Sequence, residues 1–277
     1  MKKILQDLSL EELKILTESY GEKPYRAKQI RSALHSGRKI SEITDISKDF
    51  RAKLLEEYED EPVRIIKKLV SSDGTEKFLL ELSDGNVIES VLMKYKYGNT
   101  QCISTQVGCR MNCAFCASGL NGLARNLSSG EIASEIFAVN REAGGNLENR
   151  KVTNVVLMGS GEPLDNYANV VKFLREITAD GGINISQRNI SLSTSGLVPE
   201  MYKFADEKMG VNLSVSLHNP FDEKRRRIMP VAKKYSVKDI LGACSYYFEK
   251  TGRRYIFEYS LIKGENDTKE CADELIR

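Results

Sequence analysis

Three cysteines in one short segment are the residues of this chain best suited to chemistry. Cys109, Cys113 and Cys116 are separated by three residues and then by two, in the sequence Cys-Arg-Met-Asn-Cys-Ala-Phe-Cys. Three thiolates on one loop can bind three irons of a 4Fe-4S cluster and leave the fourth iron open for a small chelating ligand. A structural zinc ion would need a fourth ligand from the protein.

The chain offers few such ligands outside the loop. Cys102 lies upstream in a segment, Gln101 to Thr105, that has the pattern of a strand leading into the loop, and His35 and His218 are the only histidines. The spacing therefore favours a cluster. A zinc site and a set of reduced packing thiols remain the alternatives.

Length, composition and charge bound the class of protein. A chain of 277 residues that is 41% hydrophobic can bury one large core and a small accessory domain. The net charge of +2 gives no bulk attraction to a polyanion, so nucleic-acid binding would have to rest on local clusters. No segment resembles a signal peptide or reaches the roughly 18 apolar residues of a membrane span. We therefore predict a cytoplasmic protein with reduced cysteines and no membrane segment.

Two small regions precede the main domain. The pattern of residues 1–60 predicts a helical module, whose first helix begins with a capping box of Ser9 and Glu12. Its helices are predicted at Ser9–Tyr20, Pro24–Ser36 and Ser47–Tyr58. Residues 61–97 predict an antiparallel meander with Asp-Gly turns, which we expect to link the two domains. Its strands are predicted at Val63–Val70, Lys77–Leu82 and Val87–Tyr95.

From residue 98 onward, strand and helix patterns alternate. Strands are predicted at Cys102–Thr105, Val152–Met158, Arg188–Thr194, Val211–Leu217 and Arg254–Leu261. Helices are predicted near Ser129–Glu142, Tyr167–Thr178, Pro199–Lys208 and Val237–Glu249. This alternation indicates an α/β fold with a βα barrel, open or closed. Because ligands gather at the carboxyl ends of the strands in such folds, the residues that follow each strand are candidates for a site.

Polar residues follow three of these strands. The segment Gly159-Ser160-Gly161-Glu162-Pro163 combines two glycines, which let a backbone approach a ligand closely, with a carboxylate that can accept hydrogen bonds from a cationic amine. Ser193 lies at the end of the next strand, and Ser216-Leu217-His218 at the end of the one after. By pattern alone these segments are also ordinary turns, and a lone histidine is more often structural than catalytic.

Two further residues each allow two interpretations. Glu89 is an acid in the alternating strand Val87-Ile88-Glu89-Ser90-Val91, where it is either a solvated carboxylate or a general base. Cys102 is either a small residue buried in a strand or a reactive thiol.

Two cationic clusters stand out against the near-neutral total charge. Between residues 23 and 39 there is no acid, and the six cations are Lys23, Arg26, Lys28, Arg31, Arg38 and Lys39. The second cluster is Lys224-Arg225-Arg226-Arg227. Each is either a solvated helix face or a surface for RNA phosphates.

Taken together, these motifs resemble the radical S-adenosylmethionine (SAM) enzymes, whose signature is CxxxCxxC with an aromatic residue, here Phe115, before the last cysteine. Within that superfamily the chain is most similar to the bacterial adenosine C2-methyltransferases that act on 23S ribosomal RNA and on tRNA. The segments 102–109 and 122–127 match that family's pattern, and the resemblance runs through nearly all 277 residues. It implies a helical RNA-binding domain over residues 1–60, a meander linker over 61–97 and a partial (β/α)6 radical SAM barrel over 98–277.

The resemblance also implies a role for each candidate residue. It makes Glu89 a proton acceptor and Cys102 the cysteine that releases the product by forming a disulfide. It implies that the helical domain binds RNA through Lys23, Arg26, Lys28 and Arg31. The cluster ligands would be Cys109, Cys113 and Cys116, and the SAM contacts would be Gly161, Glu162, Ser193, Ser216, Leu217 and His218.

The implied reaction is a radical methyl transfer. The 4Fe-4S cluster and SAM would generate a 5′-deoxyadenosyl radical, which takes hydrogen from a methyl group carried by a C-terminal cysteine, and the methylene radical adds to C2 of adenosine. A radical route suits this carbon because it is not nucleophilic enough for simple methyl transfer. The expected partners are 23S rRNA, tRNA and an electron donor such as flavodoxin or ferredoxin, with the protein itself a monomer.

The predicted barrel is shorter than that of the family. Five barrel strands are predicted here, whereas the family has six and continues to a segment that carries the methyl-bearing cysteine and a SAM-contacting asparagine. Cys271 does not match that cysteine, because it lies directly after the fifth strand and lacks the surrounding Ala-Cys-Gly sequence. We therefore expect the last barrel unit to be missing from this chain.

Two other functions remain open. A related group methylates C8 of the same adenosine and confers antibiotic resistance, but its members have Ala after the motif glutamate where this chain has Pro163. The other is a non-catalytic RNA-binding protein with a structural zinc.

Overall fold

The computed structural model describes residues 2–277 and has an α/β fold. The strands are β1 (Val63–Val70), β2 (Glu76–Leu82), β3 (Val87–Tyr95), β4 (Gly98–Cys102), β5 (Gln106–Gly108), β6 (Leu123–Asn126), β7 (Asn154–Leu157), β8 (Ile190–Thr194), β9 (Asn212–Ser216) and β10 (Tyr255–Glu258). The helices are α1 (Leu10–Ser19), α2 (Tyr25–His35), α3 (Lys48–Glu57), α4 (Ser129–Glu142), α5 (Tyr167–Thr178), α6 (Val198–Asp206), α7 (Asp222–Ile228), α8 (Val237–Thr251) and α9 (Lys269–Ile276). These elements fall into two compact units, one of residues 2–104, 127–159 and 168–186, the other of residues 105–126, 160–167 and 187–277.

The N-terminal helices α1, α2 and α3 form a small core in the first unit. Leu13, Ile30, Leu34, Phe50 and Leu54 are buried in it, one apolar face from each helix. The predicted capping box is confirmed, because the Glu12 amide donates to Ser9 Oγ at 3.2 Å and the Ser9 amide donates to the Glu12 carboxylate at 2.7 Å.

The first unit also holds five strands in the order β1-β2-β3-β4-β7. The first three pairings are antiparallel, as the predicted meander requires, and β4 pairs with β7 in parallel. Helix α4 covers one face of this sheet: Gln101 on β4 is fully buried and donates to the α4 backbone at Glu135 O, 3.0 Å away, and to Ser90 Oγ on β3, 2.9 Å away. Side chains alternate along a strand, so Glu89, Val91 and Cys102 lie on the face away from α4.

The second unit contains the parallel strands β8, β9 and β10 and a separate antiparallel hairpin of β5 and β6. Helices α6 and α8 pack against each other, with Phe204 and Tyr247 stacked at 5.9 Å between ring centroids. The βα alternation that predicts this part of the barrel is therefore confirmed for β8, α6, β9, α8 and β10.

The structure differs from the local predictions at three places. The strand that contains Cys102 begins at Gly98 and ends at Cys102, so this cysteine lies at the end of the strand and not at its start. The hairpin of β5 and β6 is absent from the sequence-based prediction because each of its strands is only three or four residues long. The charge run at residues 224–227 lies in α7, where Arg226 and Arg227 are exposed as on a solvated helix face, whereas the Arg225 side chain is buried.

The division into residues 1–60, 61–97 and 98–277 stays a proposal, since the compact units follow spatial contacts and interleave along the chain. Among residues 2–277, no helix is long and apolar enough to cross a membrane.

Candidate active site

The three cysteines lie on the loop that connects β5 to β6. The Cys109 amide donates to Gly122 O at 3.0 Å, which closes the loop, and the Cys116 amide donates to Cys113 O at 3.1 Å within it. Gly108 enters the loop with a φ of +76°, and a Cβ there would lie 2.0 Å from Gly122 O. Only glycine therefore permits this entry into the cysteine loop.

The electrostatics of the loop disfavour bare thiolates. Burial, with smaller effects of the neighbouring Cys109 and Cys116 sulfurs, raises the pKa of the Cys113 thiol to about 11. Burial likewise raises the pKa of Cys109. The Arg225 guanidinium acts in the opposite direction on Cys113. Because three clustered thiolates repel one another in a partly buried site, they need a compensating positive charge.

The glutamate of the Gly-Ser-Gly-Glu-Pro segment is held in the same unit. Glu162 is buried, and its carboxylate accepts the Leu164 amide at 3.1 Å and the Ser195 amide at 2.7 Å. Burial raises the pKa of Glu162, while the hydrogen bonds around Ser195 lower it. Hydrogen bonds from the side chains of Thr194 and Ser195 also lower the pKa of Glu162, so its carboxylate lies among several donors of the same unit.

The cysteine loop and the Glu162 segment are tied together by side chains that sequence reasoning missed. Gln106 on β5 accepts the Glu162 amide at 2.8 Å and donates to Asp165 at 2.9 Å. Asp165 also accepts from Arg110 of the cysteine loop at 2.8 Å. These bonds give the two motifs a fixed relative position. No periodicity or spacing marks Gln106 or Asp165 in the sequence.

The two glycines of the segment are in close contact with neighbouring parts of the protein. A Cβ on Gly159 would lie 2.6 Å from Ile103 O, and Gly161 has a φ of +108° with Gln106 Cβ 2.6 Å from its own ideal Cβ position. Both glycines are thus required by contact with the protein itself. Their expected role in letting the backbone approach a ligand stays a prediction.

The remaining expected SAM contacts lie at the carboxyl ends of β8 and β9. The hydroxyls of Ser193 and Ser216 both donate to the Glu258 carboxylate on β10, at 3.1 Å and 3.3 Å. The amides of Leu217 and His218 donate to the carbonyl of the same residue, at 3.0 Å and 3.3 Å. Glu258 therefore gathers four of the expected contacts. Sequence reasoning missed Glu258, because it lies inside the predicted strand Arg254–Leu261 and belongs to no motif.

His218 is held as a neutral imidazole. Its Nδ1 accepts the Ser260 amide at 3.0 Å, which leaves the proton on Nε2. Burial, with a smaller effect of Arg225, lowers its pKa to about 4. Its ring meets the edge of Phe115 from the cysteine loop, with 4.7 Å between ring centroids. This setting suits a positioning residue and not a proton carrier at neutral pH.

Glu89 and Cys102 belong to the first unit, and the sheet brings them together. Cys102 is opposite Val91 in the β3–β4 register, two residues along from Glu89. Both side chains lie on the face away from α4, so they are diagonal neighbours, about 7–8 Å apart on such a ladder. Glu89 is exposed and forms an ion pair with Lys77.

The cationic helix α2 offers fewer RNA-binding side chains than expected. Arg31 is buried, and its guanidinium is paired with the Glu176 carboxylate, 2.5 Å away. The expectation that Arg31 contacts RNA is therefore corrected. Lys23 and Lys28 are exposed, and Arg26 is partly exposed with its guanidinium near Glu22 at 3.9 Å.

The chemistry of the donor set fits an iron–sulfur cluster. The loop provides three thiols, none of the six cysteines is in a disulfide, and three thiolates clustered on one loop need positive charge nearby. In residues 2–277 no group of three His, Cys, Asp or Glu side chains is arranged around a single metal-ion position. The thiolates that hold a 4Fe-4S cluster need no such convergence, because each binds a different iron.

Comparisons with known proteins agree with this site. Residues 103–275 match the radical SAM superfamily, and residues 4–59 match the ribosomal RNA large subunit methyltransferase N-terminal domain. The structure superposes with a TM-score of 0.93 on the crystal structure of a radical SAM methyltransferase from Sphaerobacter thermophilus, 39% identical, over 99% of this chain and 80% of that one. The fold and site thus define a radical SAM methyltransferase.

The narrower family follows from sequence relatives. A probable dual-specificity RNA methyltransferase RlmN from Lachnoclostridium phytofermentans is 52% identical over 99% of this chain and 76% of its own length. The protein of the same name from Clostridium perfringens strain SM101 is 54% identical over 100% of this chain and 79% of its own length. The chain belongs to the RlmN family of radical SAM RNA methyltransferases. Membership makes a 4Fe-4S cluster and SAM its cofactors.

Proposed function

We propose that this chain belongs to a protein that methylates C2 of an adenosine in 23S rRNA and in tRNA through a methylated cysteine intermediate, formed on the C-terminal cysteine that the family resemblance implies. The observation that carries the proposal is the cysteine loop bound through Gln106 and Asp165 to the buried Glu162 segment, in a chain about half identical to dual-specificity RNA methyltransferases. That arrangement places three thiols and an amine-binding carboxylate on connected loops.

In this proposal, Cys109, Cys113 and Cys116 hold the cluster, and Glu162 accepts hydrogen bonds from the amino group of SAM. When bound, the cluster and SAM supply a 5′-deoxyadenosyl radical. The strand-end residues Ser193, Ser216, Leu217 and His218, together with Gly161, orient SAM. Two observations support this role for the strand-end residues. Glu258 accepts hydrogen bonds from the ends of both strands, and His218 is neutral.

Glu89 and Cys102 act on the RNA. Glu89 accepts the proton lost from the adenosine ring, and Cys102 releases the product by attacking the sulfur that links protein to RNA. The step balances because the S–C bond breaks as the S–S bond forms, and the carbon keeps the electron pair of the broken bond and takes the proton of the Cys102 thiol to leave as a methyl group. These roles are supported by the position of Glu89 and Cys102 on the same face of two neighbouring strands.

The RNA is bound in part by α2 and the residues just before it, where Lys23, Arg26 and Lys28 supply positive charge without a buried partner like that of Arg31. We further propose that the protein is a cytoplasmic monomer and that a flavodoxin or a ferredoxin donates the electron that reduces its cluster.

The test begins with anaerobic purification and counts of iron and sulfide per chain, followed by EPR of the reduced protein with and without SAM. About four irons and an EPR signal that changes with SAM are expected. The full-length protein is then incubated with an rRNA fragment and a tRNA, and the modified nucleoside is identified by mass spectrometry against 2-methyladenosine and 8-methyladenosine standards. The 8-methyl product would reassign the chain to the resistance enzymes, and zinc without iron would leave only an RNA-binding protein.

A further inference from the structure

Arg225 is a buried cation in a segment whose sequence predicts a surface cluster. Its side chain is fully buried, whereas Arg226 and Arg227 beside it in α7 are exposed. Burial lowers the pKa of Arg225 to about 10, so the guanidinium is still charged at neutral pH. A charge is buried at a cost in solvation, so its surroundings show what holds it there.

The guanidinium donates to three backbone carbonyl oxygens at the carboxyl ends of two strands. Nη2 donates to Ser195 O at 2.7 Å, directly after β8, and to Ser216 O at 3.0 Å, the last residue of β9. Nε donates to Leu217 O at 3.1 Å. Two nitrogens of one rigid, planar guanidinium make these three bonds, so the single nitrogen of a lysine side chain would not reproduce their geometry.

These carbonyls belong to the segments that carry the expected SAM contacts. The Ser195 peptide group is held on both sides, because its N–H donates to the Glu162 carboxylate at 2.7 Å and its carbonyl accepts from Arg225 at 2.7 Å. A continuous path of hydrogen bonds therefore joins Glu162, the end of β8, Arg225 and the end of β9.

The cysteine loop packs against the same helix. The Ala114 amide, next to Cys113, donates to Ile228 O at 2.9 Å, and Ile228 is one helical turn after Arg225. Phe115 meets His218 on the other side of the loop. Arg225 thus lies behind the cysteine loop, with its Nη1 buried and without a hydrogen-bond partner among residues 2–277.

We propose that Arg225 is a positioning residue with two effects. Its fork fixes the ends of β8 and β9 in the geometry that binds SAM, and its buried positive charge behind the cysteine loop favours the reduced, more negative state of the cluster. The second effect follows from the dependence of cluster potentials on nearby charge. This inference rests on the proposed function.

Two substitutions separate these effects. Arg225→Met removes both the fork and the charge, and Arg225→Lys keeps the charge but not the three carbonyl bonds. Arg227→Met is the matched control, because it removes the same charge from an exposed position of the same helix. Each protein is loaded with cluster, its fold is checked by circular dichroism, its SAM dissociation constant is measured by equilibrium dialysis, and its midpoint potential by EPR-monitored titration.

We expect Arg225→Met to bind SAM at least tenfold more weakly and to have a lower midpoint potential. A tenfold change in the reduction equilibrium corresponds to about 59 mV for one electron. Arg225→Lys should lose SAM affinity but keep the potential near the wild-type value, and Arg227→Met should change neither.

A folded Arg225→Met or Arg225→Lys protein with wild-type SAM affinity and potential would overturn the inference. If Arg225→Met does not fold, Arg225→Lys decides; if that protein also fails to fold, Arg225 is a general structural residue and the inference is wrong. A wild-type protein without iron or a SAM-dependent EPR change would instead refute the proposed function, so the two failures are distinguishable.

Discussion

Lys77 Nζ lies 2.7 Å from Glu89 Oε1 across strands β2 and β3. In the register of these strands Lys77 is opposite Val91, and Val91 is opposite Cys102 on the next strand. The ion pair is about half exposed, at 42% and 54% of the two side chains, so it contributes little to stability. Its consequence is geometric, because it holds the Glu89 carboxylate on the face that carries Cys102.

The first prediction concerns this carboxylate. Glu89→Gln in the full-length protein should lower the rate of RNA methylation by about 10²- to 10⁴-fold, the usual contribution of a general base. Lys77→Met should cause a smaller loss, and Lys77→Arg should retain most activity because it restores the ion pair. Glu81→Gln is the control, since Glu81 lies on the same strand face and pairs with Arg64. Undiminished methylation by Glu89→Gln would remove Glu89 from the mechanism.

The second prediction concerns the cluster ligands. Cys113→Ala should abolish cluster binding, because two thiolates of the loop cannot hold the cluster in place of three. Iron and sulfide per chain are measured after anaerobic reconstitution. Cys244→Ala removes a buried thiol from α8 and should leave the iron content unchanged. Full iron content in Cys113→Ala would contradict the assignment of this loop.

The third prediction concerns product release. Cys102→Ala in the full-length protein should accumulate a covalent protein–RNA adduct, because no thiol remains to attack the linking sulfur. Denaturing gels with labelled RNA detect the adduct. Cys271→Ala removes a buried thiol from α9 and serves as the control, without adduct. Normal turnover without an adduct would exclude Cys102 from this step.

The fourth prediction concerns RNA binding by α2. The double change Lys23→Glu and Lys28→Glu should weaken RNA binding and make it less sensitive to salt, with the slope of log affinity against log salt falling by about 0.7–0.9 per lost phosphate contact. Lys48→Glu with Lys53→Glu changes the charge equally at exposed positions of α3 and is the matched control. Equal losses of RNA affinity in the two double variants would mean that only net charge matters. Unchanged affinity in the α2 variant would mean that this helix presents a solvated face and does not contact RNA.

The fifth prediction concerns Glu135, buried in α4. Burial raises its pKa well above the usual value, against the hydrogen bond from the Ser104 amide at 3.1 Å to Oε2. The folded protein therefore binds a proton that the unfolded chain releases above about pH 4.3, and the free energy of unfolding falls as pH rises from there toward the folded pKa. Each pKa unit of the shift corresponds to about 1.4 kcal/mol.

Glu135→Gln should therefore be more stable than the wild type at pH 8 and lose this part of the pH dependence. Urea unfolding between pH 5 and pH 8 measures it. Glu142→Gln, an exposed change at the end of the same helix, should keep the wild-type slope. Parallel pH profiles for wild type and Glu135→Gln would show that Glu135 is ionised in the fold.

Local patterns in the sequence were enough to predict much of this protein. The spacing of Cys109, Cys113 and Cys116 is a local property, because ligands for a cluster can be supplied by one short loop. The capping box at Ser9, the meander turns and the βα alternation after residue 98 are equally local, and the structure contains all of them. Resemblance to the family then supplied roles for Glu89 and Cys102.

The tertiary structure decided which polar residues are buried and what they hold. Arg31 and Arg225 lie in cationic runs that look alike in sequence, yet Glu176 pairs with the first and three distant backbone carbonyls bind the second. Gln106 and Glu258 likewise acquire their roles from partners tens of residues away. Burial and long-range hydrogen bonds depend on chain segments brought together by packing, so no spacing within one segment can report them.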